Sequence, residues 1–324
     1  MIRISQPLCF SEIGQKSNQE DSLFPQHANT NSRIFILCDG MGGHEKGEVA
    51  SSIAANALGA FLENVKGAIS EKIFNDALDY AYNSLDEIKC DSGKTPGTTM
   101  TCLCFNDDSY LVAHIGDSRI YHIRPALYSQ SNKRGGILYQ TSDHSLVNDL
   151  LKAGELTEDE AKSYPQKNII TRAMQPHLDK RYKADIFTLN DIANGDYFFL
   201  CCDGILEQIT NEILCEILSD DGASNQEKLQ RIKHICDGKT KDNYTCWLIQ
   251  VDSASIVKQS DVTPVIRADF ENEDSNQHLD TVDQNKAKGK KAASKGKLCQ
   301  SVKSLPRRFA NRITSMLSLK NKAK

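Results

Sequence analysis

The chain of 324 residues is 39% apolar and 25% charged, a composition typical of a soluble globular protein with one or two domains. No apolar run approaches the roughly 18 residues that a membrane-spanning helix needs, which excludes a membrane-protein class. The first 285 residues carry 26 basic and 43 acidic side chains, a net charge of −17. Such an acidic body disfavours nucleic acid as a partner and suits a protein that collects divalent cations.

Short apolar runs bounded by turn residues predict the strands of the fold. In chain order they fall at about residues 34–38, 99–105, 110–115, 119–123, 197–202 and 245–251. Within FNDDSYLVAHIGDSRIYHI, two short turns separate three apolar runs, which predicts consecutive hairpins and therefore antiparallel pairing.

Two amphipathic helices follow the first of these strands. The first, GEVASSIAANALGAFLENV, has its predicted apolar stripe at Val49, Ile53, Ala57, Ala60 and Phe61. The second, SEKIFNDALDYAYNSLDEI, has its stripe at Ile73, Ala77, Tyr80, Ala81 and Leu85. Helices laid on antiparallel sheets indicate a layered α+β fold rather than a doubly wound parallel sheet.

The N-terminal sequence and the cysteines indicate the cellular compartment of the protein. The start of the chain, MIRISQPLCFSEIG, lacks the basic, apolar and small-residue regions of a signal peptide, so a cytoplasmic location is expected. The eleven cysteines are odd in number and several lie in apolar runs, which predicts reduced core thiols rather than disulfides. CxxC and HExxH patterns are absent, and a zinc site therefore has little support.

Two apolar runs end in the dipeptide Asp-Gly, in RIFILCDGMGG at Asp39 and in YFFLCCDG at Asp203. Four further acids lie in turns or at the ends of apolar runs: Glu20, Asp21, Asp117 and Asp242. Any one Asp-Gly is most simply a turn. Six acids in matching contexts would repel one another at a common rim, and divalent cations would relieve that repulsion. Oxygen-only ligands favour Mg²⁺ or Mn²⁺.

Seven motifs follow one another in the order and spacing of the PPM family, the metal-dependent type 2C Ser/Thr protein phosphatases. They are KSNQEDS, CDGMGGHEKGEVAS, GTTMTCLCF, HIGDSRIYHIR, TSDHSLVNDLLKAGELTEDEAKSYPQKNIITRAM, GDYFFLCCDGI and DNYTCWLIQV. The resemblance covers about residues 8–252 and is greatest to compact bacterial members. It implies an α+β fold, a β-sandwich of two antiparallel sheets flanked by pairs of α-helices, with a metal centre in a cleft at one end.

The resemblance also implies a ligand set for two Mn²⁺ or Mg²⁺ ions. Asp39 would bridge the two ions, and Asp203 and Asp242 would hold the first. Glu20 and the carbonyl of Gly40 would hold the second, since a residue without a side chain lets its carbonyl approach an ion closely.

Four further residues receive roles from the same resemblance. Asp21 would orient metal-bound water, and Asp117 would bind a third, weaker ion. Lys16 stands where the family usually has an arginine that grips the substrate phosphate; lysine keeps the charge but loses the two-pronged fork. His44 is a candidate acid for the leaving group, against the simpler interpretation of a helix-start residue.

Three other histidines, His114, His122 and His144, are expected to be structural. The segment from residue 145 to about 168, hereafter the flap segment, contains a predicted helix pair and resembles the flap beside the family's active site. Met174 and Gln175 depart from the family's usual Leu-Gly.

The chemistry implied is hydrolysis of phosphoserine and phosphothreonine in proteins. Two bound cations would lower the pKa of a bridging water, and the resulting hydroxide would attack phosphorus without a phosphoenzyme intermediate. An alternative from another class is a catalytically weak relative that binds phosphoproteins or partners as a regulator. Lys16 and the change at Met174 and Gln175 motivate it, whereas retention of the acids favours the enzyme.

The domain prediction is a catalytic domain at residues 1–252, a disordered linker at 253–297 and a basic amphipathic helical tail at 298–324. Residues 286–324 hold 13 basic side chains and no acid. A cationic amphipathic helix can lie on an anionic membrane, dock on a protein partner or bind the acidic body of its own chain. A marginal helix without a partner is the simpler alternative, and nucleic acid ranks below both.

Overall fold

The computed structural model describes residues 1–254 apart from 43–45, 91–94, 130–135, 163 and 167–168. The chain divides into two units, residues 1–266 and 267–324, and the described part belongs to the first. Except for residues 253 and 254, the predicted linker and basic tail lie outside the described residues. In the part that is described, no helix is long and apolar enough to cross a membrane.

Twelve strands, numbered along the described chain, form two six-stranded sheets. The first sheet has the order β1-β12-β11-β8-β9 with β2 on β12, and the second has the order β10-β7-β6-β4-β3 with β5 on β4. First-sheet strands are β1 (Arg3–Ile4), β2 (Leu8–Glu12), β8 (Arg119–Ile123), β9 (Ile137–Gln140), β11 (Tyr197–Cys201) and β12 (Tyr244–Ser253). Second-sheet strands are β3 (Asp21–Phe24), β4 (Ile34–Met41), β5 (Gly97–Thr98), β6 (Met100–Phe105), β7 (Tyr110–Ile115) and β10 (Asp185–Leu189). Every pairing is antiparallel, as predicted.

Helices cover both outer faces of the sandwich. The α-helices in the described residues are α1 (Gly47–Glu63), α2 (Glu71–Leu85), α3 (Leu146–Lys152), α4 (Glu158–Lys162), α5 (Asp203–Leu206), α6 (Asn211–Leu218) and α7 (Asn225–Cys236). Helices α1 and α2 pack on the second sheet, and α7 packs beside α6 and on the first sheet. The predicted α-β-β-α layers are confirmed, and α3 and α4 are the predicted helix pair of the flap segment.

Strand β4 shows how the core leads to a carboxylate. Ile34, Ile36 and Cys38 belong to the cluster under α1 and α2, whereas Phe35 and Leu37 belong to the core shared with the first sheet. Side chains alternate along a strand, so the next residue on the inter-sheet face is Asp39. The sequence therefore delivers this acid to the end of the space between the sheets.

The two sheets are joined through the ring of Trp247 on β12. It lies 5.4 Å, centroid to centroid, from Phe35 in an edge-on arrangement, and its indole nitrogen donates to the carbonyl of Ile36 at 3.2 Å. This contact satisfies the indole N–H in a buried environment and fixes β12 against β4. Both strands are thereby held in position at the end where the acids lie.

The predicted stripe of α1 is wrong in its centre. The buried face carries Ala50, Ala54, Leu58 and Leu62, whereas Val49 and Ala60 are exposed and Ile53, Ala57 and Phe61 lie at the edge of the contact. Small residues occupy the buried face because the helix lies close to the sheet. The close approach is seen at Gly59, where a Cβ would lie 2.5 Å from ring atoms of Phe24. In α2, Ala77, Ala81 and Leu85 are buried as predicted, but Tyr80 is 48% exposed.

Two of the histidines and the cysteines have the expected core roles. His122 is buried, with one ring nitrogen 2.8 Å from the hydroxyl of Tyr110 and the other 2.8 Å from a carboxylate oxygen of Asp196. His114 is buried with a ring nitrogen 2.9 Å from the carbonyl of Ser142. All ten cysteines in the described ranges are free thiols, and eight of them are buried, which agrees with the predicted core placement.

Candidate metal centre

Five of the predicted acids meet at one end of the sandwich. Asp21 on β3 stands opposite Asp39 on β4 in the antiparallel register. Asp203 is the first residue of α5, directly after β11, and Asp242 lies in the turn that enters β12. Asp117 lies in the turn between β7 and β8, after Gly116, whose φ of +107° requires glycine. Strand ends from both sheets thus place acids from five parts of the chain around one cleft.

Glu20 reaches the same cleft beside two glycines. The amide of Gly40 donates to the Glu20 carbonyl at 3.0 Å, and a Cβ at Gly40 would lie 2.3 Å from the carbonyl oxygen of Gly47. A Cβ at Gly47 would lie 2.8 Å from the carboxyl carbon of Glu20. Both positions therefore need glycine to seat Glu20 against the start of α1. Sequence reasoning found Gly40 and missed Gly47.

Crowding raises the pKa of four acids. Burial first, then the negative charges of Asp203 and Asp242, raises the pKa of Asp21 to about 7. Burial and the charge of Asp203 raise the pKa of Asp117 to about 8, and burial with the charge of Asp242 raises the pKa of Asp203 to about 6. The pKa of Asp39 is raised well above its ordinary value by burial and by its neighbours Asp21 and Asp203. Without bound cations these groups hold protons at a pH where exposed carboxyl groups are charged, because burial and mutual repulsion disfavour their charged forms.

Unpartnered oxygen atoms mark where cations would bind. Both carboxylate oxygens of Asp21 and one of Asp117 are buried and lack a hydrogen-bond partner within the described part of the chain. A buried carboxylate oxygen without a partner is costly, and a divalent cation is its natural counterion. The available donors are oxygens, because the Cys202 sulfur is already engaged by the protein: it donates to the carbonyl of Asn243 at 3.4 Å and accepts from the amide of Thr245 at 3.1 Å. The residues present therefore fit Mn²⁺ or Mg²⁺.

Lys16 lies at the rim of the acid cluster. Its ammonium group is 2.8 Å from a carboxylate oxygen of Asp242, and about half of its side chain is exposed. Although burial opposes its charge, the hydrogen bond to Asp242 and the charges of Asp242, Glu20 and Asp39 raise the pKa of Lys16. A permanent positive charge therefore stands beside the acids. His44, the candidate general acid, lies in residues 43–45 outside the described structure.

Asn243 binds three parts of the site together. Its side-chain oxygen accepts from the Glu20 amide at 2.8 Å, and its side-chain nitrogen donates to the carbonyls of Ile13 and Asn18 at 2.9 Å each. Asn243 is buried and follows Asp242 directly. The side-chain amide of Asn243 thus fixes the loop that carries Lys16 and the start of β3.

Thr99 and Ser118 form a second support beside the acids. The Thr99 hydroxyl accepts from the amide of Asp39 at 3.0 Å and lies 2.8 Å from the hydroxyl of Ser118. Ser118 follows Asp117, so this pair of hydroxyls joins the strand end of Asp39 to the turn of Asp117. Met174, one of the departures from the family pattern, is fully buried and pairs by backbone with Thr98.

Two antiparallel sheets between helix pairs, with carboxylates gathered at one end to hold divalent cations, define the class of metal-dependent protein phosphatases. The family model described as protein phosphatase 2C matches residues 11–226, and the chain belongs to this family. Both the resemblance in the sequence motifs and the predicted sandwich are thereby confirmed.

Several bacterial proteins are similar to this chain. Protein phosphatase PhpP of Streptococcus pneumoniae is 34% identical over 249 residues, which cover 75% of this chain and 96% of PhpP. The crystal structure of the serine/threonine phosphatase PstP/Ppp of Mycobacterium tuberculosis has a TM-score of 0.65 at 28% identity, covering 77% of this chain and 99% of that one. A structure of the PstP catalytic domain in complex with two manganese ions has a TM-score of 0.63 at 27% identity, covering 78% and 100%. The last supports the expected manganese or magnesium cofactor.

Proposed function

We propose that this chain hydrolyses phosphoserine and phosphothreonine in proteins at a binuclear Mn²⁺ or Mg²⁺ centre. The observation that carries the proposal is a set of buried carboxylate oxygens of Asp21 and Asp117 that have no hydrogen-bond partner among the described residues and lie within a cluster of mutually repelling acids. Relatives named as serine/threonine phosphatases, one of them with two manganese ions, support the reaction class.

Each residue of the cluster has a place in this proposal. Asp39, whose charge interacts with those of Asp21, Asp203, Asp117 and Asp242, would be a ligand common to both cations. Asp203 and Asp242 would hold the first cation, and Glu20 and the Gly40 carbonyl would hold the second. When bound, the cations would supply hydroxide at neutral pH and neutralise the phosphoryl oxygens.

Asp21 and Asp117 have separate roles. The Asp21 carboxylate, buried opposite Asp39, would orient the attacking water by accepting its hydrogen bond. Asp117, whose charge acts most strongly with that of Asp203, would complete a third and weaker cation site.

Lys16 would bind the phosphate of the substrate. Its ammonium group is charged, half exposed and directed at the cluster by its ion pair with Asp242. A lysine contacts phosphate as a point charge, so the grip is weaker than the two-pronged contact of an arginine. The role of His44 as the acid for the leaving group stays a prediction.

Direct attack by water, without a phosphoenzyme, is consistent with the lack of a reactive thiol at Cys202, beside the acids. Cys202 is the cysteine beside Asp21 and Asp39, with ligand atoms within 4.8 Å of one another. It is buried, and burial with the nearby acids raises its pKa, so it stays a neutral thiol and a poor nucleophile.

We also propose a cytoplasmic location, supported by the free thiols of the described chain, and an anionic membrane surface or a protein partner for the basic tail. Deleting residues 286–324 tests the tail. Sedimentation with vesicles of anionic lipid should fall to the level of neutral vesicles, and unchanged sedimentation would contradict the membrane version.

The function is tested by hydrolysis of p-nitrophenyl phosphate and of a phosphothreonine peptide. Activity should require Mn²⁺ or Mg²⁺, disappear with EDTA and be lost in Asp39→Asn, with Asp107→Asn, an exposed turn acid, as the control. Activity that survives EDTA or Asp39→Asn would overturn the mechanism. Inactivity of folded, manganese-loaded protein would favour the phosphoprotein-binding regulator instead.

A further inference from the structure

His144 links two parts of the fold that the metal centre needs. It lies in the loop between β9 and α3, is 3% exposed, and exchanges two hydrogen bonds with Gly116 in the β7–β8 turn. The Gly116 amide donates to Nδ1 of His144 at 3.1 Å, and the His144 amide donates to the Gly116 carbonyl at 2.9 Å. Gly116 precedes Asp117, so these two hydrogen bonds fix the turn that carries a candidate metal ligand.

The far side of the same turn is also fixed. A Cβ at Gly116 would lie 2.6 Å from the side chain of Thr99, whose hydroxyl supports Asp39. Gly116 is therefore confined between Thr99 and the ring of His144. The position of the Asp117 backbone follows from these two contacts.

His144 holds the two ends of the flap segment as well. The backbone continues from His144 into Ser145, which caps α3, and the amide of Thr171 donates to the His144 carbonyl at 2.8 Å. Ser145 pairs with Ile170 in an isolated bridge. The chain entering the flap segment and the chain leaving it thus meet at one residue.

Further contacts fix the orientation of the His144 ring. Since Nδ1 accepts from Gly116, Nε2 carries the proton and donates to Asp185 at 3.0 Å. Asp185 also accepts a hydrogen bond of 2.9 Å from Arg172, a residue that follows the flap segment in the chain. The ring also stacks on that of His114, with centroids 4.5 Å apart. Both nitrogens are used by the protein and a guanidinium group lies 3.2 Å from Nε2, so this cluster does not suit a metal ion.

The neighbours of His144 strengthen the same connection. Asp143 accepts two hydrogen bonds of 2.7 Å from Arg119, two residues after Asp117. The side chain of Asn148 on α3 donates to the Asp143 carbonyl at 3.0 Å. Residues 142–144 therefore bind the Asp117 turn on one side and the first flap helix on the other.

We propose that His144 is a positioning residue that joins the Asp117 turn to the base of the flap segment, so that the two shift together. This inference deepens the proposed function: it assigns a residue that would transmit the position of the flap segment to the weaker cation site. The side chain does not touch substrate or cation, and its effect acts through Gly116.

The test is hydrogen exchange of the full chain without metal, comparing His144→Ala, His144→Asn and the control His122→Asn. His122 is also buried and hydrogen-bonded through both ring nitrogens, but it lies in the first sheet. Its substitution therefore shows the general effect of losing a buried histidine with two hydrogen bonds. In His144→Ala, peptides containing Gly116 and Thr171 should both exchange about tenfold faster or more. In His144→Asn the amide oxygen can still accept from Gly116, and protection there should be retained.

A second readout uses manganese. His144→Ala should raise the Mn²⁺ concentration for half-maximal activity about 10- to 100-fold, as for other residues that orient metal ligands, whereas His122→Asn should not. Faster exchange at only one of the two peptides, or equal effects in the His122 control, would overturn the proposal. An inactive wild-type protein would instead refute the proposed function, because the exchange result does not depend on activity.

Discussion

Asp21 and Asp39 stand directly opposite one another on β3 and β4, with their carboxylate groups facing a common cleft and with no hydrogen-bond partner for either oxygen of Asp21 in the described structure. Two acids in cross-strand register destabilise a sheet unless a cation lies between them. The strands are buried and rigid, so the repulsion cannot be relieved by moving the side chains into water. Metal binding and folding stability are therefore coupled in this protein.

The metal-free protein should lose stability as the pH rises. The pKa of Asp203 is about 6, that of Asp21 about 7 and that of Asp117 about 8, all raised by burial and by neighbouring acids above the value of about 4 in an unfolded chain. The folded state therefore holds protons that the unfolded chain releases. This contribution is complete below pH 4 and is lost progressively as the pH rises to about 8.

Urea unfolding in EDTA measures this effect. Between pH 5 and pH 8 the free energy of unfolding should fall by several kcal/mol, since all three carboxyl groups lose protons in this interval and one pKa unit on one group corresponds to about 1.4 kcal/mol. Saturating Mn²⁺ should remove most of the fall. A metal-free protein that is equally stable at both pH values would contradict the electrostatic account of the centre.

Asn243→Ala should weaken both the fold and the metal site. The substitution leaves the Glu20 amide and the carbonyls of Ile13 and Asn18 without their partner, which should cost about 2–4 kcal/mol of unfolding free energy. Because Glu20 is a candidate ligand, Mn²⁺ affinity by calorimetry should fall about 10- to 100-fold. The exposed Asn56 on α1 is the control, and Asn56→Ala should change stability by no more than about 0.5 kcal/mol.

Some residues of this site can be predicted from the sequence because they stand in a recognisable local pattern, and others cannot. Asp39 and Asp203 each follow five buried apolar residues, a local pattern that can be read directly. The tie between Asn243 and the Glu20 amide spans 223 residues of chain and leaves no local pattern. The proximity of Gly47 to the Glu20 carboxylate also leaves no local sequence pattern, so it is visible only in the folded structure.

The fold itself was predictable in its buried parts. The six predicted strands lie in fully or largely buried positions with continuous apolar runs. The missed strands β1, β2, β3, β5, β9 and β10 are short or have mixed polarity, and most lie at sheet edges. The α1 stripe was misplaced because hydrophobicity favours Val49 and Phe61, whereas close packing on the sheet favours alanine and glycine.

Gly47→Ala should separate metal binding from helix stability. Gly47 is the first residue of α1, where alanine and glycine differ little in helix stability, but an alanine Cβ there would lie 2.8–2.9 Å from the carboxylate atoms of Glu20 and displace them. Mn²⁺ affinity should therefore fall about tenfold or more while stability changes little. The matched control is Gly59→Ala in the same helix, whose Cβ meets the Phe24 ring instead.

The two glycine variants should give opposite patterns. Gly59→Ala should lower the free energy of unfolding by about 1–3 kcal/mol through overpacking and leave Mn²⁺ affinity unchanged. Calorimetric titration and urea unfolding of both variants measure the pair of quantities. Unaltered Mn²⁺ binding in Gly47→Ala would show that the Glu20 carboxylate is not a ligand.

Lys16 should control substrate affinity more than turnover. It provides a single charged contact at the rim, and its ion pair with Asp242 is partly exposed, so its removal should cost little stability. At saturating Mn²⁺, Lys16→Ala should raise KM for a phosphothreonine peptide about tenfold or more, because one charge-assisted contact is worth about 1.5–3 kcal/mol. Lys16→Arg should lower KM below that of the natural protein, since the guanidinium group can grip two phosphate oxygens. Lys72→Ala, on the exposed surface of α2, should leave KM unchanged. If neither Lys16 variant shifts KM, the phosphate is bound by other groups, and the role given to this lysine is wrong.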